Sequence, residues 1–401
     1  MASPVDTSVK FFHSMMANAP LPPGAAGAGI ALFDACLKDG FDVKSATITV
    51  AGGVATVAWT GSHSCLKDTV IMVAGVTGPM TALNGEQKVT ARPSATSCTF
   101  ATTVADGAAS GTITIKMAPL NWAKPFAGTN LAVYQSQSAA SAKHLLRVDD
   151  TSTTLMRVVG YESMSDVNTG AGAFPTAAQI AGGLYWPKRQ AAGAAGVPWM
   201  IVGDERMFYF ICCPFGASPT NWAAGNATTR GFGDPIILKP SGDAFATMLC
   251  GSQQSSVSSM QDGDFFNPSN SAISTPRIYT GNGSAFFHYA AAYCGGGNNA
   301  SGVAATLGAF PNGIDGALYL SKKYLVASGS DGSPRADIPG VRHIPQSNTL
   351  NNFAAGDPWP GGGLDAGRTF MAVPCTNTSL SATPNVLNTG YGMIDITGPW
   401  R

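Results

Sequence analysis

Short β-branched and aromatic runs separated by glycine-bearing turns dominate this sequence and restrict its fold more than any other feature. Between residues 46 and 118 the runs are three to six residues long, a pattern typical of strands. Gly52-Gly53 lies between two of them and predicts a two-residue hairpin, because glycine adopts the positive φ angles of such a turn. Leu83-Asn84-Gly85-Glu86 predicts a second turn of this kind. We therefore expect a small β-barrel or sandwich module over 46–118, with strands near 47–50, 54–59, 69–73, 87–90, 98–100 and 112–115.

Residues 119–401 continue the β pattern with longer, Gly-, Asn- and Ser-rich connections. No long amphipathic helix is indicated, and only Pro175 to Ala181 resembles a helical turn. The pattern predicts a larger β-rich domain built as a sandwich or as blade-like sheets. The predicted strands lie near 131–134, 145–148, 155–159, 199–202, 207–212, 235–238, 245–249, 285–288, 317–320 and 370–373.

The first 45 residues predict an N-terminal arm followed by a short helix. Ala19-Pro20-Leu21-Pro22-Pro23 is unsuited to a central strand, because proline cannot donate to a ladder. Ala26, Ile30, Phe33 and Leu37 then recur at helical spacing, and Gly40 is placed to end the helix. Two positions are open for the arm: against a neighbouring subunit, or against its own domain.

Charge is scarce and balanced. Lys plus Arg and Asp plus Glu both number 23, and charged residues make up 11% of the chain, against about 25% in typical proteins. The absence of a basic excess argues against a nucleic-acid binder. A surface of Ser, Thr, Asn, Gln and Gly tolerates close subunit packing without burying charges, which favours a protein of a large assembly. A secreted, glycan-facing β protein is the other class with this composition.

The sequence also predicts compartment and thiol state. The N-terminus has no basic region followed by an apolar run, and the longest apolar stretches fall short of the ~20 residues needed to cross a bilayer. We therefore expect a soluble protein made in the cytosol, without a membrane-spanning segment. The eight cysteines have no Cys-x-x-Cys spacing and are predicted to be buried free thiols.

Candidate chemical sites are few, and each has a structural explanation. His63 with Cys65 is a poor zinc pair. Asp262-Gly263-Asp264 and Asp149-Asp150 are the densest carboxylates, suited to calcium or to glycoside cleavage, yet Asp-Gly-Asp is also common turn chemistry. The seven tryptophans are expected to fill β cores for the most part, rather than a sugar platform. We predict no catalytic residue, no metal site and no cofactor.

Several segments resemble virion structural proteins of tailed bacteriophages. The segment 9–16 and the segment 20–42 carry this resemblance at the N-terminus, and 61–90 is similar to small β modules of phage tail and fibre proteins. Segments 233–245 and 395–401 fit the same family. The resemblance implies a structural role and transfers no catalytic residue. It leaves open the tail nozzle, the tail tip, the fibre base and head decoration.

These observations lead to one principal expectation and two alternatives. We expect a non-enzymatic tail component of a virion that forms a homo-oligomeric ring or trimer, with copies of itself and other virion proteins as partners, made in the cytoplasm of the bacterial host. The first alternative is a host-receptor module that binds surface glycans through Trp222, Asn226 and Trp359. The second is a depolymerase that uses Asp262 and Asp264.

Overall fold

A computed structural model of the chain gives the fold. It describes residues 3–193, 195–216, 218–220, 227–260, 264–266, 273–295, 301–302, 305–327, 334–349, 352–375 and 390–401. Strands make up 42% of the chain and helices 7%. The predicted mainly β class, with sandwich-like or barrel-like curled antiparallel sheets, is confirmed.

The described elements follow one another along the chain as strands with few helical segments. The helical ones are α1 (Ala28–Phe33), a π-helical segment (Asp34–Asp39) and 3-10 turns at Gly78–Leu83, Val257–Ser259 and Gly363–Asp365. The strands are β1 (Lys10–His13), β2 (Phe41–Ala51), β3 (Val54–Trp59), β4 (Val70–Ala74), β5 (Gly85–Lys88), β6 (Ala91–Ser94), β7 (Ser97–Ala101), β8 (Gly107–Ala108), β9 (Thr114–Met117), β10 (Trp122–Gly128), β11 (Leu131–Ser136), β12 (Leu145–Asp149), β13 (Leu155–Tyr161), β14 (Ser163–Met164), β15 (Gly170–Ala171), β16 (Leu184–Pro187), β17 (Trp199–Gly203), β18 (Met207–Cys212), β19 (Thr228–Gly233), β20 (Ile236–Ile237), β21 (Met248–Cys250), β22 (Ile273–Thr275), β23 (Phe286–Ala292), β24 (Ser321–Ala327), β25 (Pro334–His343), β26 (Pro358–Pro360), β27 (Thr369–Pro374) and β28 (Tyr391–Asp395).

An eight-stranded sheet forms the small module, in the order β5-β4-β9-β2-β3-β7-β6 with β8 beside β2. The long strand β2 pairs with β9 near its start and with β3 and β8 further on. Its register with β9 shifts between Phe41 and Lys44, where Asp42 has φ 58°. Such a bulge bends a strand, so β2 belongs to both halves of a curled sheet. At the β2–β3 hairpin Gly52 and Gly53 have φ 58° and 78°, which confirms the predicted two-residue turn.

Three further sheets are present in the described part of the chain. A five-stranded meander has the order β10-β11-β12-β13-β16, and β14 and β15 form a small hairpin. The largest sheet has 13 described strands in the order β1-β17-β18-β19-β21-β22-β23-β24-β25-β28-β27-β26, with β20 beside β25. Its strand pairings are antiparallel throughout the described residues.

The first helix packs between two of these sheets. Phe33, at the end of α1, contacts Tyr134 and Trp186 of the five-stranded sheet and Phe208 and Phe210 of the largest sheet, with ring centroids 5.4–6.0 Å apart. Edge-to-face contacts of this kind are favourable beyond the area they bury. The predicted end of the helical region at Gly40, which has φ 72°, is confirmed.

The N-terminal segment packs against its own chain. Lys10 to His13 pair with Met200 to Gly203, which matches the second of the two positions considered for the arm. The predicted boundaries at 45/46 and 118/119 concern folding units and stay predictions. In the structure the eight-stranded sheet begins at Phe41, and residues 119–401 contribute to three separate described sheets.

Several local predictions differ from the structure for identifiable reasons. Leu83 to Glu86 is not a two-residue hairpin: a ten-residue connection joins β4 to β5, and the Asn84 side chain bonds both backbone groups of Val76 at 2.8 and 2.9 Å. Residues 317–320 are not a strand, because the backbone N–H of Tyr319 donates to the Gln346 side chain (2.7 Å) instead of to a ladder. The strand begins directly afterwards, at Ser321.

Buried thiols and indoles fill the interior. Seven of the cysteines are buried and Cys294 is half-buried, which confirms the predicted burial except for Cys294. Five tryptophans are buried, as expected: Trp59, Trp122, Trp186, Trp199 and Trp400. Within the described residues, no helix combines the length and apolar character that crossing a membrane requires.

Candidate functional site

A broad groove of about 1260 Å³ opens near the β26 end of the largest sheet. Its floor comes from β25, β27 and β28, and two loops, 305–320 and 361–368, border it. The volume exceeds that of typical small-molecule pockets, about 300–1000 Å³. The groove is therefore suited to an extended ligand or to a protein surface. Its main side chains are Tyr293, Leu307, Phe310, Leu318, Tyr319, Leu320, Lys322, Asp337, Ile338, Arg342, Trp359, Leu364, Asp365, Arg368, Phe370, Met393 and Trp400.

The 305–320 loop is fixed by backbone bonds to the segment after β25. Leu307 N–H donates to the carbonyl of Pro345 (2.8 Å) and Phe310 N–H to that of Ser347 (2.9 Å). The buried Gln346 amide donates to the carbonyls of Ala309 and Ala317 at 3.3 and 3.2 Å. These contacts hold one wall of the groove in a defined position without regular secondary structure.

An aromatic cluster forms the other end of the groove. The ring of Trp359 lies 4.6 Å from Phe353 and 6.3 Å from Phe310, in edge-to-face geometry, and Phe353 stacks on Phe310 at 5.3 Å. The Trp359 Nε1 is buried and has no acceptor among the described residues. A buried donor of this kind is costly unless water or a ligand satisfies it.

The polar groups of the groove are arranged as pairs. Tyr293 donates its hydroxyl to Asp337 (2.6 Å), and Lys322 lies 4.0 Å from the same carboxylate. Burial raises the pKa of Tyr293, and the bond to Asp337 raises it further. Arg342 pairs with Asp365 at 3.1 Å and lies 5.5 Å above the Phe370 ring.

Arg368, at the border of the groove, pairs with the buried carboxylate of Asp395 and lies 3.9 Å from Asp365. Each cation that lines the groove therefore has a carboxylate partner within 4.0 Å. The groove presents aromatic and hydrogen-bonding surface with little uncompensated charge.

Aliphatic side chains project from the two bordering loops, and we call Leu307, Ile314 and Leu364 the rim. Ile314 is 97% exposed and Leu364 is fully exposed, while Leu307 is 45% exposed. Scattered apolar side chains are ordinary on protein surfaces. Their grouping beside a large groove is typical of an interaction surface.

Only some of the binding and catalytic residues proposed from the sequence lie at the groove. Trp359 and the glycines 361–363 line the groove, whereas Trp222, Asn226 and Asp262 lie outside the described residues. Asp264 is buried in the core, where it accepts the backbone N–H groups of Thr229 (2.6 Å) and Phe266 (2.7 Å). Of the two acids named for the depolymerase, Asp264 does not line the groove, and Asp262 lies outside the described residues.

The other sequence candidates are structural contacts. Asp150 accepts the N–H groups of Gly29 (2.7 Å) and Ile30 (3.1 Å) and pairs with Lys188, so it ties α1 to the five-stranded sheet. His63 accepts the backbone N–H of Cys65 at Nδ1 (3.0 Å). No group of three or more His, Cys, Asp or Glu suited to a metal ion occurs in the described part of the chain.

Sequence reasoning missed most of the groove. Tyr293, the β25 residues Asp337 and Arg342, and Asp365 lie on three separate segments of the chain and follow no motif. The one local signal is Pro358-Trp359-Pro360-Gly361-Gly362-Gly363-Leu364, where bulky apolar residues stand among turn residues. No protein-family model matches this chain, and no curated protein is similar to it.

Proposed function

We propose that this chain is a structural component of a tailed-bacteriophage virion, most consistent with a tail protein of the nozzle, tip or fibre-base type. It works as a homo-oligomeric ring or trimer and catalyses no reaction. The virion assignment is based on the sequence resemblance of segments 9–42, 61–90, 233–245 and 395–401.

The exposed rim is the observation that supports the proposal of an oligomer. Leu307 and Leu364 present aliphatic surface among the residues that line the groove, and the exposed Ile314 lies on the same bordering loop as Leu307. Burying an exposed leucine or isoleucine contributes about 1.5–3 kcal/mol. A contact with a neighbouring subunit is the arrangement that removes these side chains from water.

The charge balance supports association between copies. The formal net charge is zero, so like-charge repulsion does not oppose self-association. The groove's own charges are already paired, so packing against it strands no single ion.

The experiment compares the mass of purified protein with that of a rim variant by light scattering over a range of concentrations. We expect an oligomer for the natural chain and dissociation for the double variant Ile314→Asp, Leu364→Asp. Val43→Asp is the matched control, because Val43 is an aliphatic residue that is 63% exposed outside the groove.

Mass spectrometry of purified particles tests the virion assignment. A monomer at high concentration that is also absent from particles contradicts the proposal.

A second candidate function is recognition of a host surface glycan by the same tail protein. Trp359 and Tyr293 on the groove wall favour it, because aromatic rings with nearby polar pairs are the usual lining of a site for an amphipathic ligand.

A further inference from the structure

The paired charges that line the groove disfavour charged ligands. Lys322, Arg342 and Arg368 each lie within 4.0 Å of a carboxylate. An anionic ligand would have to compete with these internal partners, and a cationic one would meet carboxylates that are already neutralised. A neutral ligand with many hydroxyl groups neither competes with these ion pairs nor depends on an unpaired carboxylate.

The groove offers both kinds of contact that such a ligand needs. Tyr293 is 49% exposed, and one side of its ring packs on Tyr324 with centroids 4.5 Å apart. A ring supported in this way is held in place as a flat apolar surface. The neighbouring Tyr293–Asp337 and Arg342–Asp365 pairs have lone pairs and N–H groups left over for further hydrogen bonds.

We propose that the groove binds a neutral oligosaccharide, with Trp359 and Tyr293 as its apolar platforms and Asp337, Arg342 and Asp365 as its hydrogen-bonding groups. This inference rests on the second candidate function and narrows it to uncharged glycans. The cavity of about 1260 Å³ accommodates several sugar units.

The test is a glycan array of neutral and anionic bacterial surface oligosaccharides, probed with the full chain, with titration calorimetry on the best neutral ligand. We expect neutral glycans to bind and anionic ones to bind more weakly. Trp359→Ala and Tyr293→Ala should each weaken binding about tenfold or more. Tyr279→Ala is the matched control, because Tyr279 is 60% exposed and does not line the groove; its affinity should equal that of the natural chain.

The variant Tyr293→Ala keeps the test decisive if Trp359→Ala fails to fold, because Tyr293 is half exposed. Absence of binding to every neutral glycan, a preference for anionic ones, or full affinity in Tyr293→Ala overturns the inference. The oligomer proposal is tested separately, since its variants alter Ile314 and Leu364. Glycan binding by a monomer contradicts only the oligomer, and an oligomer without glycan binding contradicts only this inference.

Discussion

Gly340 is a single residue on which the docking of the C-terminus depends. It has φ 68°, and a methyl group added there would lie 2.4 Å from Cε2 of Trp400. The buried Trp400 donates its Nε1–H to the carbonyl of Asp395 (3.0 Å) and packs 5.6 Å from Tyr209. Gly340 therefore leaves the space that this indole occupies.

We predict that Gly340→Ala lowers the free energy of unfolding by roughly 2–5 kcal/mol, the sum of left-handed backbone strain and overpacking. Gly308→Ala is the control, because Gly308 has φ 83° and no atom within 4 Å of the added methyl group. Its cost should be about 1–2 kcal/mol, from backbone strain alone. Urea unfolding followed by tryptophan fluorescence measures both. Equal losses in the two variants would show that Trp400 tolerates the methyl group.

At the level of the strand, proline is concentrated at the sheet edges. The outer strands β6, β10, β16 and β26 contain prolines at 93, 125, 187, 358 and 360. Two described edges without proline, β1 and β5, lie against each other, with Lys10 3.1 Å from Glu86 and Lys88 3.4 Å from the carbonyl of Val9. Edges protected by proline or by a neighbouring strand resist pairing with further strands, which favours side-chain surfaces such as the rim for the proposed contacts between copies.

We predict that Pro358→Thr combined with Pro360→Thr allows β26 to pair with β-strands of other molecules. Trp359 and Gly361 face β27, as the bond from Gly361 N–H to the carbonyl of Arg368 (2.9 Å) shows, so residues 358 and 360 direct their backbone outward. Threonine adds two outward N–H donors, and light scattering should show aggregation increasing over hours. Pro22→Thr, outside any strand, should leave scattering unchanged. A clear solution of the double variant would mean that the prolines do not protect this edge.

The sequence predicted strands best where apolar residues are continuous or alternate. Predicted runs such as 54–59 and 207–212 coincide with β3 and β18. Thr228–Gly233 and Pro334–His343 were missed, because Arg230 and Gly231 in β19 and two prolines in β25 oppose a strand by local preference. Burial and pairing with neighbours decide those two strands, and neither is visible in a single segment.

At the scale of the whole molecule, the groove is a product of sheet order. Neighbours in the largest sheet such as β25 and β28 are separated in the chain by β26 and β27, and this crossover brings Asp337, Trp359 and Met393 to one cavity. Trp359 was identified from the sequence because an isolated tryptophan beside glycines is conspicuous. Its partners Tyr293 and Arg342 have no such local signal, because their role depends on register.

Buried histidines determine how the whole fold responds to acid. Burial lowers the pKa of His13 to about 4 and that of His343 to about 3, where Lys323 adds to the effect. Burial together with Arg335 lowers the pKa of His288 to about 3. Both ring nitrogens of His343 lack a hydrogen-bond partner among the described residues. Asp264 acts in the opposite direction, since burial raises its pKa to about 6.

Between pH 7 and pH 5 the unfolded chain binds protons at these histidines, whose unperturbed pKa is about 6.5, while the folded chain does not. Each histidine therefore costs on the order of 2 kcal/mol of stability over this interval, while protonation of folded Asp264 returns about 1 kcal/mol. We predict that the free energy of unfolding falls by several kcal/mol from pH 7 to pH 5. His343→Leu removes one titrating group and should reduce that fall by about 2 kcal/mol. Urea titrations at the two pH values measure it, and an identical fall in variant and natural chain would exclude His343 as a source of acid sensitivity.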